Sequence, residues 1–163
     1  MTTIDASASD LRAGVGPDWT PIYEWASRLV ERIARDQPTQ HVGIYVPDHG
    51  ADGMRLVGQA WGAGEDIGSV VVGKWLVPFL GSVTGRVFRT GAPALCADVN
   101  LDPDYREYPG SRSRSFLTVP VHRDGSVVAV INVEAPWTGA FSIRDYDALV
   151  AEASAGAVAF PSP

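Results

Sequence analysis

At 163 residues, with 45% hydrophobic and 20% charged side chains, the chain holds material for one globular domain and too little for two, and its balance argues against disorder. The net charge of −6, with Arg112 and Arg114 the nearest thing to a basic cluster, argues against nucleic acid as a direct partner. The single cysteine, Cys96, excludes an internal disulfide and a cysteine zinc set, and no apolar run approaches the roughly 20 residues of a membrane span. Residues 1–16 lack the apolar stretch of a signal peptide, so the expected compartment is cytoplasmic.

Residues 1–17 are small, polar and broken by glycine, and are expected to form a flexible N-terminal arm ahead of a domain over 18–160. Thr20 can cap a helix whose first position suits Pro21. Trp19, Ile22, Tyr23, Ala26, Leu29, Val30, Ile33 and Ala34 fall on one stripe at helical spacing, with Glu24, Arg28, Glu31, Arg32 and Arg35 opposite, and Pro38 ends the run. A strand over His41–Val46 and its hairpin partner over Met54–Trp61 flank a turn cluster at 47–53. A third strand is expected over Gly68–Val77, interrupted at Gly73. Ser82 begins a short helix that Gly91 stops, and Pro93–Ala97 reads as a short strand.

Residues 98–114 then form a long connection, a length that inside a compact domain points to function or mobility. Ser115–Arg123 and Ser126–Glu134 make the clearest hairpin, turning at Asp124-Gly125. Pro120 within the first strand requires an edge, a bulge or a strand end. The second strand, SVVAVINVE, is apolar on both faces until Asn132 and Glu134, which places it mid-sheet. Ser142 and Asp145 have capping-box spacing for a last helix whose stripe is Ile143, Tyr146, Leu149, Val150, Ala153 and Ala157, with Phe141 placed to staple onto Tyr146.

These elements predict an α+β fold: a central antiparallel sheet of about six strands, with the two long terminal helices on one face. Only the short helix and the long connection remain to cover the other face. Irregular chain packs less solidly than a helix, so a pocket is expected there.

Three stretches carry a family resemblance. SVTGRVFRTGAPALCADV (82–99), SRSFLTVPVHRDGSVVAVINVE (113–134) and FSIRDYDALVAEASAGAVA (141–159) resemble, in order and spacing, the helix-Gly-x-Pro-strand, V-P-hairpin and closing-helix segments of the GAF domain family. The resemblance spans roughly residues 19–160. It implies small-molecule sensing and dimerisation, with cyclic nucleotides, haem, bilins, nitrate, amino acids and iron all used within the family; fold alone does not choose among them.

The chemistry of one GAF subfamily, free-methionine sulfoxide reductase, is only partly matched. Tyr108-Pro109-Gly110 is similar to its F-P-G, and Asn132 and Glu134 fall where it keeps two substrate-binding acids. Its catalytic cysteine is absent, since residues 111–114 are Ser-Arg-Ser-Arg, and its glutamate before the V-P strand is Phe116. The Cys-His pair of bilin attachment and the N-K-F-D-E signature of cyclic-nucleotide binding are also missing. His41, His49 and His122 read as surface or structural histidines, and no G-x-S-x-G, HExxH or EF-hand pattern occurs.

No catalytic residue, metal site or cofactor is therefore assigned. The expected ligand-binding residues are Trp61, Asp98, Tyr105, Tyr108, Arg112, Arg114, Phe116, Thr118, Asn132 and Glu134. Several have plainer roles open to them: Trp61 as core, Asp98 as a turn cap, Tyr105 and Tyr108 as loop anchors, and Arg112 and Arg114 as solvated surface or as partners of Asp102, Asp104 or Glu107. Cys96 is read as a small buried hydrophobe. The leading expectation is a sensory domain that binds an unidentified small molecule, dimerises through its terminal helices and acts on a separate output protein. A reductase-like enzyme and a ligand-free interaction module are the alternatives.

Overall fold

The computed structural model describes residues 20–36, 41–61, 75–107 and 110–161. The expected N-terminal arm, Trp19, Pro38, Tyr108 and the 68–74 part of the third strand lie outside them.

Among the described residues, α1 (Thr20–Asp36) is followed by β1 (His41–Asp48), β2 (Gly53–Trp61), β3 (Leu76–Pro78), α2 (Val83–Thr90), β4 (Ala94–Cys96), a 3-10 turn at Val99–Leu101, β5 (Ser115–Arg123), β6 (Ser126–Ala135) and α3 (Ile143–Gly156). The strands form one antiparallel sheet in the order β3-β2-β1-β6-β5-β4. β6 therefore lies mid-sheet, as its two-faced apolarity requires. Pro120 needs no ladder donor on its outer side: β4 pairs only with Phe116, Leu117 and Thr118, so β5 is an edge strand by position 120, one residue before a bulge. The described part of the third strand is short and ends at Pro78 rather than Val77. Proline lacks the N–H to extend the ladder, and Phe79 N turns back to Asp52 O.

Strand alternation sorts the side chains into two layers. On one face Val42, Ile44 and Val46 of β1, Leu117, Val119 and Val121 of β5, and Ile131 and Val133 of β6 meet Ile22, Ala26, Leu29, Val30 and Ile33 of α1 and Leu149 and Ala153 of α3. Arg32 pairs with Glu152 across the two helices, and Trp25 meets Phe160 edge-on at 5.3 Å. α3 starts on the predicted capping box: Ser142 Oγ accepts from Asp145 N, and the Asp145 carboxylate accepts from Ser142 N.

The other face carries Tyr45, Met54, Leu56, Phe116 and Val130, covered by Val83 and Val87 of α2 and Val99 of the long connection. The caps of α2 are those its sequence predicts. Ser82 Oγ accepts from Gly85 N at 3.0 Å, and Gly91 ends the helix at φ 65°, a left-handed turn that glycine adopts without penalty. Gly85 is required by proximity, since a Cβ there would stand 2.3 Å from Phe79 O. Because β3 and β4 occupy opposite edges, the chain between them crosses the whole lid face, passing over β5 and β6.

Candidate ligand-binding site

The polar residues of the lid face gather where β5 and β6 pair. Thr118 and Asn132 are directly opposite in register, as are Phe116 and Glu134. Thr118 Oγ1 donates to Asn132 Oδ1 at 2.6 Å, and Asn132 Nδ2 donates to Glu134 Oε1 at 2.8 Å. Ser113, on the segment entering β5, donates its hydroxyl to Glu134 Oε2 and hydrogen-bonds with the Ser111 hydroxyl at 3.1 Å. The result is a relay from Thr118 to Glu134 in which the carboxylate accepts at both oxygens. All four of Thr118, Asn132, Glu134 and Ser113 are buried, and burial of such groups is tolerated only when they are satisfied in this way.

Aromatic residues surround that end of the relay. Tyr105 lies over Phe116 with ring planes 7° apart and centroids at 5.9 Å, an offset stack. Tyr45, from β1, and Trp75, ahead of β3, line the same space. The Tyr105 hydroxyl is buried and makes no hydrogen bond among the described residues, although the Ser111 and Ser113 hydroxyls lie close enough to favour its ionised form. Burial, reinforced by the negative charge of Glu134, pushes its phenol up to about 12. The same two causes raise the Tyr45 phenol. The Glu134 charge is thus felt at both rings.

Between the relay, these rings and the first turn of α2 lies a cavity of about 80 Å3. At ~30 Å3 per water this is room for two or three water molecules, or for a group of a few heavy atoms. Ser82, Val83 and Thr84 close it from α2, and Arg106 and Glu107 line it from the long connection. Arg106 is exposed and donates to the carbonyls of Pro103 and Tyr105.

The connection itself is clamped. Arg86 of α2 makes a two-pronged contact with Asp102, and its Nη1 reaches Asp104 at 2.8 Å. Partial desolvation raises Asp102, but the Arg86 hydrogen bond and charge together hold it below the usual carboxylate range. Arg86 thus takes Asp102 and Asp104, two of the acids the sequence leaves open to Arg112 and Arg114.

The structure thus brings Tyr105, Phe116, Thr118, Asn132 and Glu134 together. Asp98 stands apart and caps the 3-10 turn, accepting from Asn100 N at 3.0 Å. Trp61 packs on the lid-face cluster with its ring 4.3 Å from that of His41 and does not line the cavity. Arg112 and Arg114 lie with Glu107 and Trp137 along an open outer groove. Tyr108 is outside the described residues. Cys96 is half-buried rather than buried; its thiol donates to Asp98 O at 3.0 Å, and burial pushes it up. Trp75, for which the sequence leaves pocket wall and core packing both open, lines the cavity, whereas sequence reasoning missed Tyr45, Ser113 and Arg86. Only Tyr45 had a usable signal, since alternation from His41 puts it on the lid face.

A family model described as GAF domain matches residues 20–160. Similar solved structures include the GAF domain of a phosphoenolpyruvate-protein phosphotransferase from Coxiella burnetii, at 18% identity over 92% of this chain and 85% of that one, with a TM-score of 0.73. They also include the type II free methionine-R-sulfoxide reductase from Thermoplasma acidophilum, at 21% identity over 85% and 94% of the two chains, with a TM-score of 0.70. The free methionine-R-sulfoxide reductase from Neisseria meningitidis, solved with its substrate, matches at 21% identity over 85% and 78%, also at 0.70. No curated protein sequence matches. At these identities the structural likeness establishes the fold alone.

Proposed function

This chain belongs to the GAF domain family, and from that premise we propose that it is a sensory domain whose lid-face cavity binds a small molecule and whose occupancy is passed on through dimer or partner contacts. The observation that carries the reading is the meeting of a buried, doubly hydrogen-bonded Glu134 carboxylate with a partly open cavity lined by aromatic rings. A purely structural core would fill that space with apolar side chains; here a hydroxyl, an amide and a carboxylate converge at its edge.

The size argues for a small ligand or one small end of a larger one, not for a nucleotide or tetrapyrrole held whole. Dimer contact is assigned to the outer faces of the terminal helices. Ile143, expected on the buried stripe, is instead exposed at the start of α3, and with Val158 just beyond the helix it flanks Ala148, Ala151 and Ala155, spaced to share one side. The protein is assigned a cytoplasmic setting; among the described residues no helix is long and apolar enough to cross a membrane.

The reductase alternative is less well supported. Its chemistry runs through a thiolate, and the single cysteine here has its thiol raised by burial and engaged with a backbone carbonyl. A thermal-shift screen of metabolites, amines and amino acids tests the binding reading, since a ligand for the folded state raises the melting temperature with its concentration. Thr84→Phe, which places a ring in the cavity, is expected to abolish any such rise. A rise that persists in Thr84→Phe, or no rise with any compound, would overturn the assignment. Sedimentation of the free protein tests the dimer.

A further inference from the structure

Three features coincide at the cavity. Glu134 is among its lining residues, and the negative charge of that carboxylate helps raise the phenols of Tyr45 and Tyr105. Its walls include four aromatic residues from four separate parts of the chain: Tyr45, Trp75, Tyr105 and Phe116. Its volume, about 80 Å3, matches a compact group of a few heavy atoms.

Each feature has a consequence for the chemistry of an occupant. A carboxylate beside an enclosed space makes the potential there negative and disfavours an anion. Aromatic faces carry negative quadrupole charge and attract cations, above all weakly hydrated ones such as alkylammonium groups, whose methyls also fill apolar space. A strongly hydrated metal ion would want several oxygen ligands, and no group of three metal-ligating side chains occurs among the described residues. The buried Tyr105 hydroxyl adds a polar atom available to an N–H of a partly substituted ammonium. Arg106 and Glu107 at the mouth offset one another in formal charge.

We infer that the cavity is a receptor for a small alkylammonium group, held against Glu134 and enclosed by the rings of Tyr45, Trp75, Tyr105 and Phe116. The inference rests on the proposed binding function and names the chemical class that its pocket selects. The cation is bound without reaction: the carboxylate supplies charge, the rings supply the cage, and the Arg86 clamp holds the connection bearing Tyr105 in place.

The probe is tetramethylammonium chloride, set against sodium chloride at equal concentration and against tert-butyl alcohol, a neutral molecule of nearly the same shape. Thermal shift and calorimetric titration on the full chain are expected to show tetramethylammonium binding about tenfold more tightly than tert-butyl alcohol, a margin within the range of a desolvated cation–π and charge contact. Methylammonium is expected to bind as well, with Tyr105→Phe weakening methylammonium and sparing tetramethylammonium. Glu134→Gln keeps one oxygen to accept from Asn132, turns its amide N–H toward the Ser113 hydroxyl, which can accept instead, and removes the charge; it is expected to abolish the preference for the cation. Phe116→Leu serves as the second variant, reducing the affinity for tetramethylammonium severalfold. Equal responses to tetramethylammonium and tert-butyl alcohol, or a response to tetramethylammonium no greater than to sodium chloride, would overturn the cation assignment. In that event, a neutral or anionic compound from the metabolite screen that loses its effect in Thr84→Phe would still leave the binding function standing.

Discussion

The two faces of the sheet are built from the same strands and differ in almost everything else. The helix face is mainly aliphatic, with Trp25 and Phe160 packed against it: Leu29, Val30, Val42, Ile44, Val119 and Ile131 are wholly excluded from solvent there. The lid face mixes aromatic rings with a hydrogen-bonded relay of Thr118, Asn132, Glu134 and Ser113, and leaves a cavity. A strand alternates its side chains between faces, so β5 and β6 serve both layers at once. The difference teaches that stability and recognition are separated by parity along the strand: the odd residues of β5 from Leu117 to Val121 make core, and the even residues Phe116 and Thr118 make site.

The largest effect that can break this division is on the helix face. Leu29→Ala is expected to cost about 2–5 kcal/mol through lost transfer energy and a residual cavity, read as a lowered urea midpoint. Ligand affinity of the remaining folded protein should be unchanged. A changed affinity would mean that the faces are coupled.

Next in size is a pH effect from the lid-face side of β1. His41 is buried, and burial pushes it down to about 4, with the Gln59 hydrogen bond working the other way. The unfolded chain therefore binds a proton near pH 6.5 that the folded chain refuses until about 4. Stability should fall as pH drops through that window, by up to about 3 kcal/mol, and level off with respect to this group below it. His41→Gln is expected to flatten the slope between pH 6.5 and 4. A wild-type curve already flat there would contradict the buried, neutral histidine. Asp48 and Asp102, both held below their ordinary values, lose their contributions only at still lower pH.

Thr118→Val is isosteric and removes only the donor to Asn132 Oδ1. Stranding a buried acceptor costs about 1–3 kcal/mol, and the effect on ligand affinity should exceed that of Leu29→Ala although the effect on stability is smaller. The smallest global change is expected from Arg86→Gln, about 1 kcal/mol or less for a partly exposed ion pair. Its signature is local: faster amide exchange at Tyr105, whose N–H bonds to Asp102 O, with exchange at β6 unaltered.

Much of this division was legible in the residues before any coordinates. Phe116 and Thr118 alternate with Leu117 and Val119, so their shared face followed from the pleat alone. Ser82, Gly91 and the Ser142–Asp145 box fixed helix ends because capping is local chemistry within four or so residues. Three members of the relay, Thr118, Asn132 and Glu134, are visible as polar residues on β5 and at the end of an apolar strand. The fourth, Ser113, is 21 positions from Glu134, and no periodicity links them. The same holds for Arg86, which reaches Asp102 and Asp104 across 16 and 18 positions, so the pairing was sought instead among the nearer arginines at 112 and 114. Trp75 falls within the expected third strand, but nothing local says which way it faces. Local rules therefore found the walls and the floor, while the contacts that close the roof depend on how distant segments meet.

The connection from β3 to β4 runs from one margin of the sheet to the other, and each margin is a strand of only three residues. Among the described residues it is a strap joined at each end to a short edge strand, with α2 as its middle. On the proposed reading, a group bound beneath α2 would bear on both ends of that connection at once, and the two outer edges of the sheet are where its occupancy would reach the surface.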